Sequence, residues 1–138
     1  MEDLDRRSAL VLGAAIFAPV IALPRSAAAE MYAPDAGKEL APGVRVVDLS
    51  NGEAIIPGFK TVSLIDIVFQ PQSNLPSGAM PNAMVCHILE GELKVVQDGK
   101  EFQAKKNHVW TCAEGTQEGA RNNESTVAIM RITNLLTA

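Results

Sequence analysis

Apolar residues in this chain fall in short runs separated by turn-forming residues, and most of the runs are rich in valine and isoleucine. They are Val44 to Leu49, Thr61 to Phe69, Met84 to Leu89, Leu93 to Gln97, Glu101 to Ala104, Val109 to Cys112 and Thr126 to Thr133. Runs of this length and composition predict β-strands, because branched side chains pack well on a pleated surface whose faces alternate residue by residue. No amphipathic helical period stands out before the last few residues. Seven or more strands at roughly ten-residue spacing predict a sandwich or barrel.

The turns support this reading. Asp98-Gly99 lies between Leu93-Lys94-Val95-Val96 and Glu101-Phe102-Gln103-Ala104, which predicts a two-residue hairpin because glycine accepts positive φ without strain. Further reversals are expected at Asn51-Gly52, Pro57-Gly58, Glu90-Gly91, Lys106-Asn107 and Asn122-Asn123. Residues 30 to 43 contain Pro34, Gly37, Pro42 and Gly43 without a clean apolar period, and read as an extended arm or loop. There is no internal repeat, low-complexity tract or linker to argue for a second domain.

The N-terminus follows a different pattern. Ser8 to Pro24 carries no charge, follows Arg6-Arg7, and leads into Arg25 and the small residues Ser26-Ala27-Ala28-Ala29. Basic, apolar and small-residue regions in that order are those of an export signal, and the apolar part is shorter than the roughly 20 residues of a membrane-spanning helix. Cleavage is expected after Ala29, leaving no stable membrane anchor; the alternative is an uncleaved N-terminal anchor. The segment Asp5-Arg6-Arg7-Ser8-Ala9-Leu10-Val11 resembles a twin-arginine signal, with Asp5, Ala9 and Val11 departing from the preferred residues. The reading is therefore residues 1–29 export signal, 30–43 arm, and 44–138 the folded domain, in the periplasm or secreted.

Composition then narrows the functional classes. The formal charge of −4 offers no general attraction to nucleic acid. Of the two cysteines, Cys86 and Cys112, both lie beyond the cleavage point and enter an oxidising compartment. A disulfide there would close a loop worth about 3 kcal/mol if unstrained; the alternative is a pair of buried thiols. No Gly-rich phosphate loop, Ser-His-Asp set or Cys-x-x-Cys pair is present.

Two segments carry a family resemblance. Met84-Val85-Cys86-His87-Ile88-Leu89-Glu90-Gly91-Glu92-Leu93 resembles the end of the first cupin motif, a strand ending in an apolar pair before Glu-Gly-Glu. Val109 to Asn123 resembles the second motif, a strand, a glycine turn, a ligand position and an asparagine. With the hairpin between them these cover about residues 76 to 133. The resemblance implies an all-β fold, a single cupin-type jelly-roll β-barrel, and commonly a homodimer that pairs or exchanges N-terminal segments such as the arm.

The resemblance also implies a place for chemistry. A metal-binding cupin presents His-x-His and Glu from the first motif and His from the second. Here those positions fall among Ser77 to Met80, on Met84, and on Glu118, so the usual metal set is missing. Strand alternation turns Met84, Cys86 and Ile88 to the same face and His87 to the other, while His108 sits beside a turn. The inward set expected is Met80, Met84, Cys86 and Glu118, with Asn82 and Arg121 near the mouth. Sulfur donors suit a soft ion such as Cu(I), although Met and free Cys are also ordinary core filler. Glu118 reads either as an exposed turn acid or as a buried carboxylate with a raised pKa and the capacity of a general base.

The functional expectation is an exported small-molecule-binding domain without catalytic activity. The alternative is an enzyme: an oxidoreductase with an atypical metal set of Glu118, Cys86 and His87, or a metal-free, isomerase-like catalyst using Glu118.

Overall fold

In the computed structural model, the structure describes residues 31–137. The expected export signal and its cleavage site lie outside the described residues. Within them no helix is long and apolar enough to cross a membrane.

Ten strands among the described residues form two antiparallel sheets: β1 (Lys38–Ala41), β2 (Val44–Glu53), β3 (Thr61–Phe69), β4 (Asn74–Ala79), β5 (Ala83–Glu90), β6 (Glu92–Gln97), β7 (Lys100–Lys105), β8 (Val109–Cys112), β9 (Gln117–Arg121) and β10 (Ala128–Leu136). One sheet has the order β1-β2-β3-β10-β5-β8 and the other β4-β9-β6-β7. This is a jelly-roll arrangement, two sheets closing on one core. The core follows from alternation. Val44, Ile67, Phe69, Met84, Cys86, Ile88, Met130 and Ile132 face inward from the larger sheet, against Leu93, Val95, Ala104 and Ala120.

All seven apolar runs are strands, and the β6–β7 hairpin turns on Asp98 (φ 47°) and Gly99 (φ 81°). Gly91, at φ 74°, is held by space as well as by conformation, since an added Cβ would meet the Val127 carbonyl oxygen at 2.9 Å.

Four features depart from the sequence reading or add to it. Asn51-Gly52 is no reversal but part of β2, which continues to Glu53 with a register shift between Asp48 and Ser50; pairing with β3 overrides the local turn preference. The arm contains a strand, β1, which pairs with β2. β4 and β9 extend the smaller sheet through segments without a strong apolar run. The chain end is strand to Leu136, paired with Thr61.

The outer face of the larger sheet has its own cover. Val68, Val127 and Ile129 form a second apolar cluster, with Tyr32, Val47 and Leu89 packed on it. Beside it Asp66 is fully buried and accepts two bonds from Arg131, Nε at 2.8 Å and Nη2 at 2.9 Å, plus one from the Tyr32 hydroxyl. Burial, then Asp66, pushes the Tyr32 phenol up to about 12. Asn122 is also fully buried, and its amide donates to the Phe69, Gln70 and Thr126 carbonyls, tying the end of β3 to the β9–β10 connection.

Candidate functional site

The inner face of β5 carries Met84 and Cys86, and the register with β8 sets Met84 opposite Cys112 and Cys86 opposite Trp110. These four side chains therefore share one face. From the opposing sheet, Glu118 on β9 reaches across the core and is only 5 % exposed. Its Oε1 accepts from Trp110 Nε1 at 2.9 Å and from the Cys112 thiol at 3.2 Å. Gln97, paired with Glu118 in the smaller sheet, donates Nε2 to the Thr111 carbonyl at 2.9 Å and to Cys112 Sγ at 3.3 Å.

The alternative of an exposed turn acid is thus excluded for Glu118. Burial raises its pKa, and the bonds from Cys112 and Trp110 oppose that rise. Burial also pushes Cys112 up to about 11 and raises Cys86 further, so both are protonated thiols at neutral pH. Both cysteines are free. Their ligand atoms and a Glu118 oxygen all lie within 4.8 Å of one another.

Beside this cluster runs a cavity of about 360 Å³ between the sheets. Ile65, Ile67, Met84, Met130 and Ile132 line it from the larger sheet, and Leu75, Glu118 and Ala120 from the smaller. Leu40, 46 % exposed, and Pro81 contribute toward the solvent side. Polar groups are few: Asn82 donates to Asn134 Oδ1 at 3.0 Å and to the Ala83 carbonyl at 2.9 Å, and both carboxamides border the cavity. Among the described residues no buried side-chain nitrogen or oxygen lacks a hydrogen-bond partner.

Of the residues singled out from sequence, Met80, Asn82, Met84 and Glu118 line this cavity, and Cys86 lies behind it in the core. Arg121 does not join them. It ends β9 with its side chain exposed, one residue past inward-facing Ala120, and borders a separate surface depression with Lys94 and Glu101. It makes no compensating contact with Glu118; the donors that do so are Trp110 and Cys112.

His87 is half-buried on the outer side of β5, opposite Arg131 and Val109 in register, so it cannot join Cys86 and Glu118 in one set. His108 is exposed and stacks on Phe102 with ring centroids 5.5 Å apart. The positions implied by the resemblance do not form a cupin's imidazole metal set: Met84 supplies a thioether, Glu118 a carboxylate, and both imidazoles lie elsewhere.

Sequence reasoning missed Trp110, Gln97 and Asn134. Trp110 was within reach, since it precedes Cys112 by two residues on the same strand; the other two had no local signal.

Solved structures with the same shape identify the architecture. A KdgF from Halomonas sp. matches with a TM-score of 0.57 at 10 % identity, over 71 % of this chain and 84 % of that one. An RmlC-like cupin from Shewanella frigidimarina matches with a TM-score of 0.56 at 14 % identity, over 75 % and 87 %. The chain has the cupin fold. An oxalate oxidase gives a TM-score of 0.59 at 23 % identity, over 75 % of this chain but 56 % of that longer one. No family model matches the sequence, and no curated protein matches it either. Cupin-fold neighbours thus include enzymes, and at these identities the likeness concerns the fold.

Proposed function

We propose that this cupin-fold chain is an exported, non-catalytic domain that binds a small, largely apolar molecule in the cavity between its sheets. The observation that carries the reading is the cavity itself, about 360 Å³ with aliphatic walls and polar groups only from Asn82, Asn134 and Glu118. A concave apolar site with few polar groups is what recognition of a small molecule requires. The ligand expected has an apolar body and one hydrogen-bonding group for the asparagine carboxamides. Titration with an environment-sensitive naphthalene sulfonate dye tests this: saturable binding at one site per chain is expected, competed by the natural ligand class. Absence of saturable binding, or binding unaffected by filling the cavity at Ala120, would remove the proposal.

Glu118 favours a second reading, a metal-free acid–base catalyst, because its carboxyl is buried, raised in pKa and on the cavity wall. Any such turnover is expected to vanish in Glu118→Gln with the fold retained; unchanged turnover would end it.

The chain is also proposed to act as a homodimer through the arm at residues 30–43. Support comes from β1, the open edge of the larger sheet, with exposed Leu40. Light scattering on the intact protein and on a form beginning at Val44 tests it, and a monomeric intact protein would refute it.

A further inference from the structure

Cys86, Cys112 and Glu118 converge from three strands, β5, β8 and β9, in one buried cluster. Packing alone does not call for a carboxylate across the core from two thiols. A disulfide meets an obstacle in the register. Cys86 stands opposite Trp110, and Cys112 opposite Met84, so the two cysteines are diagonal neighbours. Diagonal partners stand ~7–8 Å apart, beyond the Cα separation of ~4.4–6.8 Å usual for a disulfide. Both thiols are free.

We propose that Cys86 Sγ, Cys112 Sγ and a Glu118 carboxylate oxygen form a binding site for a thiophilic divalent cation of the zinc class. The geometry is close to what such an ion needs. Zinc bonds of ~2.3 Å to sulfur and ~2.0–2.2 Å to oxygen set tetrahedral edges near 3.5–3.8 Å. The ligand atoms already lie within 4.8 Å of one another, and Cys112 Sγ is 3.2 Å from Glu118 Oε1. The Cys112–Glu118 edge needs to open by about 0.4 Å and the others to close by at most about 1 Å, within the reach of side-chain rotation.

The donor set selects the ion. Two thiolates disfavour calcium and magnesium, while the carboxylate oxygen is a harder donor than copper(I) prefers; the mixed set suits zinc. Groups around the ligands are oriented for the charged state as well. Trp110 Nε1 donates to Glu118, and Gln97 Nε2 donates to Cys112 Sγ, the kind of outer contact that holds and tunes metal ligands. On loading, each thiol releases its proton to solvent as its sulfur bonds the ion, and no electrons are exchanged. The fourth corner is left for water or a cavity molecule, since Glu118 also lines the cavity.

The test uses intact protein, reduced and stripped with chelator, and no small-molecule ligand, so its failure leaves the cavity reading standing. Cobalt(II) titration is expected to saturate at one equivalent with a sulfur-to-cobalt charge-transfer band, and zinc is expected to displace it. Cys112→Ser and Cys86→Ser are expected to abolish the band, and Glu118→Gln to weaken binding at least tenfold. X-ray absorption on the zinc-loaded native chain needs no variant. Two sulfur neighbours at about 2.3 Å would support the site. No charge-transfer band, or a zinc environment of only nitrogen and oxygen, would overturn it.

Discussion

Filling the cavity at Ala120 tests whether the space between the sheets is where a ligand binds. Ala120 lies on the inner face of β9, 6 % exposed, paired with Leu75 on β4 and Val95 on β6, and its side chain borders the cavity. Leucine there projects its added carbons into about 360 Å³ of space. At ~0.8 kcal/mol for each of the three added carbons, burial contributes ~2.4 kcal/mol. Ordering the leucine side chain costs ~0.5–1 kcal/mol, leaving a net stabilisation of about 1.5–2 kcal/mol. In a wall with no room, the same change would overpack the core and destabilise it by ~1–3 kcal/mol. The two cases differ in sign. Urea unfolding followed by the single tryptophan, Trp110, reads the outcome, with a midpoint expected to rise by about 1 M at unchanged slope. Dye binding should be lost in the same variant. A lower midpoint, or a stabilised variant that still binds dye, would refute the cavity as the binding site.

Three further outcomes follow from buried polar groups. Asn122→Ala should cost about 3 kcal/mol by leaving three carbonyl acceptors without their donor, and Asn122→Asp should be at least as severe near neutral pH; chemical denaturation checks both, and a tolerated aspartate would contradict the bonding described. Asp66→Asn should destabilise by about 2 kcal/mol, below the ~3–5 kcal/mol of a fully buried pair because the Arg131 side chain is 33 % exposed. In that variant the Tyr32 phenol should titrate below its native value of about 12, and an unchanged ultraviolet titration of this single tyrosine would argue against its contact with Asp66. Glu118 binds its proton more tightly folded than unfolded, so its contribution is full below the ordinary value of 4.5 and declines as pH rises toward the folded pKa. Measured with chelator present, Glu118→Gln should therefore gain stability relative to the native chain as pH rises from that value, and a pH-independent difference would contradict the raised pKa.

The chain's own pattern determined the strands that make the core, because β3, β5, β6 and β10 bury a run of branched or alternating side chains whatever lies opposite. It also determined the hairpin at Asp98-Gly99, where positive φ is a local demand, and the common face of Met84, Cys86 and Ile88, where the two-residue period is enough. β1, β4 and β9 were decided by the tertiary structure. Lys38–Ala41 is mostly exposed, Asn74–Ala79 contains Pro76 and Gly78, and Gln117–Arg121 is short with Gly119 at its centre. Such segments become strands because a neighbouring strand offers hydrogen bonds. The same holds for the site. Parity along β9 already sets Arg121 on the face opposite Glu118, whereas only the approach of two sheets could set that carboxylate against Trp110 and Cys112. Asp66 and Arg131 are 65 residues apart and meet only through the pairing of β3 with β10. Local alternation says which way a side chain points; what it meets there depends on strands distant in sequence.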